Sequence, residues 1–138
     1  MNAKEYLRQL EKLDAIIHNK FIEKEQWRNI ALGVNAHSEG ERVQSSGNQQ
    51  RMASAIERCV DMEREIDALI DKLVDLKRDV TSVIEQLNAV EYDLLHMVYI
   101  QHLSFYEVSV KKDKTKEWVK TVHGRALHGV QKILDARE

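Results

Sequence analysis

The stretch MASAIERCVDMEREIDALIDKLVDLKRDVTSVIEQLNAV, residues 52–90, repeats every seven residues. Met52, Cys59, Ile66, Leu73, Val80 and Leu87 form one series, and Ala55, Met62, Leu69, Leu76, Val83 and Val90 form a second, displaced from the first by three positions. All twelve are apolar. A 3-4 spacing kept over this length predicts a long helix, wound left-handedly against one or more partner helices. Ile56, Ile70 and Ile84 fall beside the seam and widen it, which suits more than one neighbour. A helix over 50–89 would run about 60 Å at 1.5 Å per residue. Such a rod would either protrude or be covered by a second chain. Pairing of two chains is therefore expected, a dimer first, with Ile66, Leu69, Leu73, Leu76, Val80 and Val83 as the seam. Cys59, inside that pattern, reads as a small core residue rather than a nucleophile.

Composition agrees with helices. The chain of 138 residues has no proline, five glycines and 32% charged residues. Sandwiches and barrels draw on Gly and Pro for their turns, so an all-α fold is expected. A single cysteine excludes an intrachain disulfide and suits a reducing compartment such as a cytoplasm. The opening MNAKEYLRQLEKLD lacks the apolar core of a signal peptide, and no apolar run suits a membrane span.

Upstream of the repeat, residues 3–32 predict a first helix. Tyr6, Leu10, Leu13, Ile17, Phe21 and Ile30 form its apolar side, Ile16 and Trp27 widen it, and Ile22 falls off it. Gly33 suits its C-cap. Residues 33–50, rich in Gly, Ser, Asn and Gln, read as a connector. The chain thus divides into a helical hairpin with a long coiled-coil helix, 1–89, and a smaller C-terminal module, 90–138.

The module differs in charge. Residues 1–102 carry 13 Lys/Arg and 18 Asp/Glu, whereas 103–138 carry 8 and 5. Leu94, Leu95, Val98 and Tyr99 predict a short helix ending near Gln101. Ser104 and Glu107 match a capping box that starts a helix over 105–112. Thr115 suits the next N-cap, and Val119, Val122, Ala126, Val130 and Ile133 share one face of a last helix over 116–135. Short helix, tight break and longer basic helix make a helix-turn-helix pattern.

These residues resemble a known family. LSFYEVSVKKDKTKEWVKTVHGRALHGVQKIL (103–134) is similar to the region-four helix-turn-helix of bacterial sigma factors, down to the closing Arg125-Ala126-Leu127. The whole layout, with its Val43-Gln44-Ser45-Ser46 loop, resembles small phage and prophage regulators of late transcription from Gram-positive bacteria, of the ArpU and RinA type. The resemblance implies sequence-specific binding to double-stranded DNA, control of phage genes and contact with RNA polymerase through the acidic part. The sequence departs from the pattern at Val98, which replaces an Arg, and at Ser109, where a small Ala usually packs. It departs again at Asp113 in place of the turn Gly and at Lys112 and Lys114 beside it.

If the second helix enters the major groove, its first turns nominate Lys116, Glu117, Trp118, Lys120 and Thr121 for the bases. Lys111, Lys112 and Lys114 would hold phosphates, with Thr115 and Arg125 completing the contact set. Trp118 is either an exposed contact or a lid on a small core. His123 and His128, five apart, do not share a helix face, so no metal site is expected, and no cofactor. The acidic residues of the long helix, such as Asp67, Asp71 and Asp75, alternate with Arg and Lys as on a solvated face. Nothing builds a catalytic cleft, and an enzyme is not expected. Two alternatives remain open: a small terminase-like subunit that packages DNA, and a coiled-coil adaptor whose helix-turn-helix no longer binds DNA.

Overall fold

The computed structural model describes residues 1–33 and 46–138. They form α1 (Ala3–Ala31), α2 (Ser46–Ile84), α3 (Ala89–Leu95), a π-helical turn (His96–Ile100), α4 (Phe105–Lys112) and α5 (Lys116–Arg137). No strand occurs among the described residues, and the fold is all-α. Most of the 33–50 connector, including Val43, Gln44 and Ser45, lies outside the described residues. Gly33 does adopt a left-handed φ of 71° after α1, as a C-cap glycine should.

The long helix is displaced relative to its sequence reading. It begins at Ser46 rather than near Gln50 and stops at Ile84 rather than near Ala89. The cause is Asn88. Its side chain accepts the Glu91 amide at 2.9 Å and so starts a new helix. The last heptad pair, Leu87 and Val90, therefore lies beyond α2. Leu87 packs against the C-terminal core, and Val90 is exposed.

Two compact units divide the chain: residues 15–72, and residues 1–14 with 73–138. The C-terminal module thus takes in the first turns of α1 and the end of α2, which the boundary at 89 assigned to the hairpin. Distant segments supply the apolar surface that the short helices of 90–138 lack.

Unit 15–72 is an antiparallel pair of helical segments. Lys20 meets Glu65 at 3.2 Å and Lys24 meets Glu63 at 2.9 Å, so one helix number falls as the other rises. Ile17, Ala55, Met62 and Ile66 are buried. Cys59 is half-buried, its Sγ 3.9 Å from the Lys24 carbonyl. The apolar side of α1 is narrower than expected. Ile16, Phe21 and Trp27 are exposed, along with Ile22, and so are Ile56 and Ile70 of α2.

The other unit has the larger core. Ala3, Tyr6, Leu7 and Leu10 of α1 join Val80, Val83 and Ile84 of α2, Leu94 and Leu95 of α3, Val108 of α4, and Val119, Val122, Ala126 and Val130 of α5. Most are completely buried. This corrects the seam expected between chains. Val80 and Val83 are 0% and 1% exposed and Ile66 is 3% exposed within one chain, so they offer no surface to a second. Leu73 and Leu76 are half-buried against the same core, and Leu69 is half-buried in the hairpin. The heptad pattern is satisfied by helices of the chain's own making. A polar fastening closes the unit's edge. Arg137 grips both Asp79 oxygens, at 2.6 and 3.2 Å, and the Tyr6 hydroxyl donates to the same carboxylate.

Candidate nucleic-acid interface

Local chemistry fixes both ends of α4 and the start of α5. The Ser104 Oγ accepts the Glu107 amide at 3.1 Å, and the Glu107 carboxylate accepts the Ser104 amide at 2.9 Å. These hydrogen bonds hold the Glu107 carboxyl below its usual range. α4 ends at Asp113, which takes the left-handed conformation (φ 55°, ψ 49°) that glycine would otherwise supply. The Lys114 amide then bonds back to the Ser109 carbonyl at 2.9 Å, a helix-ending 6→1 bond. Ser109 fits where a smaller residue was expected because its hydroxyl donates to the Tyr106 carbonyl at 2.7 Å. Thr115 caps α5, accepting the Trp118 amide at 3.1 Å.

The two faces of α5 are chemically distinct. Val119, Val122, His123, Ala126 and Val130 are buried. Lys116, Glu117, Lys120, Thr121, Gly124, Arg125 and His128 are exposed. Among the described residues, Lys111, Lys116, Lys120 and Arg125 make no ion pair or hydrogen bond through their side chains. These four cations face one unpaired carboxylate, Glu117, so the exposed side of α5 with the end of α4 carries a net positive charge.

The remaining nominated residues have other engagements. The Lys112 ammonium is held by Asp93 of α3. Lys114 lies over the Trp118 ring, 5.5 Å from its centre. Trp118 is half-buried and packs against the core. The Thr115 oxygen is occupied as a cap. Among the described residues, the free set is therefore Lys111, Lys116, Glu117, Lys120, Thr121 and Arg125.

His123 is the feature the sequence reading missed. It is 8% exposed, and its Nε2 lies 2.7 Å from the Tyr99 hydroxyl. The Phe105 ring stands edge-on to it, with centroids 4.9 Å apart. The signal was present in the sequence, since position 123 is four after Val119 and three before Ala126 and so shares their face. Burial, reinforced by Lys4 and Arg8, lowers its pKa. Burial likewise raises that of Tyr99. His128 is exposed on the other side. Among the described residues, no cluster of His, Cys, Asp or Glu could hold a metal, and no helix is long and apolar enough to cross a membrane.

Comparison with protein-family models, curated proteins and solved structures found no match.

Proposed function

We propose that this protein is a DNA-binding transcriptional regulator of phage or prophage genes, with α5 as its recognition helix. The observation that carries the reading is the exposed side of α5. It presents Lys116, Lys120 and Arg125, unpaired among the described residues, opposite a buried apolar face. The sigma-like sequence of 103–134 supports it independently, and the layout of the whole chain, which resembles phage and prophage regulators, supplies the phage context. RNA polymerase is the further partner that the resemblance implies. Charges left unneutralised by the chain suit a polyanion, whose condensed counterions they release on binding. Catalysis, a cofactor and a metal play no part in this reading. Chain pairing belongs to it, but not through the heptad seam. Exposed apolar residues of the hairpin, Phe21, Ile22, Ile56 and Ile70 among them, offer surface to a second copy.

Binding to phage promoter fragments, titrated with salt against scrambled DNA, tests the proposal. Specific binding should weaken steeply with salt. The Lys116→Ala/Lys120→Ala double variant should lose the preference for promoter over scrambled DNA, since those side chains enter the groove, whereas Lys111→Ala should flatten the log–log slope by about 0.9, the share of one phosphate contact. Lys112→Ala should leave the slope unchanged, because Asp93 already holds that ammonium. Absence of binding at about 50 mM salt, where phosphate contacts are strong, would leave the adaptor reading instead.

A further inference from the structure

α5 contains two glycines, and they differ in their surroundings. A Cβ built on Gly129 would lie 2.7 Å from Leu87 Cδ2, so the end of that side chain would have to move. A Cβ on Gly124 would meet nothing within 4 Å. Gly124 is exposed and lies in the interior of the 22-residue helix. There glycine is the least favourable residue short of proline, because it gives up the most backbone freedom. The fold gains nothing visible from its missing side chain.

The surroundings of Gly124 suggest what does. Lys120 and Thr121 precede it by four and three residues, and His128 follows it by four, so all share its face. Arg125 is adjacent. All four are exposed. Glu117, seven residues before Gly124, brings a carboxylate to this face. With donors around it otherwise, the glycine opens a shallow notch where another surface can reach the helix backbone.

We propose that Gly124 is the point of closest approach between α5 and duplex DNA. This rests on the DNA-binding reading above. The first two turns, with Lys116, Lys120 and Thr121, enter the groove. At the third turn the sugar–phosphate wall crosses the helix over Gly124, and Arg125 and His128 donate to its oxygens. A methyl group at position 124 would hold the wall away and lengthen those contacts. Gly124 is thus a positioning residue, and it trades stability of the free protein for fit to the duplex.

The test pairs stability with affinity in the full chain, using Gly124→Ala and Gly124→Leu. Both replace glycine by strong helix formers in open space. Each should raise Tm by roughly 3 °C or more. Affinity for a promoter fragment that the unaltered protein binds should fall at least tenfold for Ala and further for Leu. If both variants are stabilised and bind DNA within twofold of the parent, the inference is overturned and the DNA-binding reading stands. If the parent binds no DNA, both are overturned together.

Discussion

His123 is a histidine buried inside a helical core. Its Nε2 meets the Tyr99 hydroxyl, Phe105 covers its edge, and Lys4 and Arg8 bring positive charge to its side. Burial first, and those cations second, place its pKa below the ordinary value. The sign of the consequence is fixed. Below about pH 6.5 the unfolded chain takes up a proton that the folded chain refuses, so stability falls as the pH falls. The slope attributable to this one group approaches, at most, about 1.4 kcal/mol per pH unit between its folded pKa and about 6.5. Denaturant titrations from pH 7.5 to 5 should show that decline. His123→Gln, which keeps a polar partner for Tyr99, should flatten it. An unchanged pH profile in the variant would mean that other groups set the acid sensitivity.

Among the helices, the most instructive is α2. Its seven-residue repeat was plain in the sequence, and so were the capping box at Ser104 and the cap at Thr115, whereas Asp113 read as a departure from the glycine expected at the turn. Each of these depends on residues within a few positions of one another, so local chemistry decides them. What covers the repeat was not legible. Periodicity says that a face must be buried, but it does not distinguish a neighbour in the same chain from one in another. Val80 and Val83 meet residues more than 70 positions upstream and others beyond 100, and no local pattern announces that. Likewise, Lys112 resembled a phosphate ligand until Asp93 was found beside it. The internal seam makes a prediction at this scale. Met62→Ala in the hairpin should cost about 2–5 kcal/mol, as for a fully buried methionine. Ile56→Ser, at a position 54% exposed, should change the stability of a single chain by less than about 0.5 kcal/mol. Urea unfolding at low protein concentration separates the two. If chains pair through the hairpin, Ile56→Ser should instead shift sedimentation toward the monomer.

At the scale of the whole molecule, the unit that carries α5 is assembled from segments far apart in sequence. Residues 90–138 contain both helices of the proposed DNA-binding module, and by themselves they resemble a separable domain. Their core nevertheless includes Leu7, Leu10, Val80, Val83 and Ile84, all of them almost wholly buried. A fragment spanning 90–138 should therefore lack stable tertiary structure, with poor NMR dispersion and no cooperative thermal transition. A fragment that unfolds cooperatively would show that the outer segments are dispensable.

The bond from the Ala3 amide to the Gln131 side chain spans 128 positions. It turns this architecture into a matter of timing. A ribosome adding about 5–20 residues per second needs roughly 6–25 s to travel that distance. Throughout that interval Tyr6, Leu7 and Leu10 have emerged without their final neighbours. The hairpin of 15–72 can close while synthesis continues, but the unit bearing α5 must wait for its last helix. A nascent chain of this protein can therefore fold its hairpin early but acquires the α5-bearing unit, and any grip on a promoter, only once translation has reached α5.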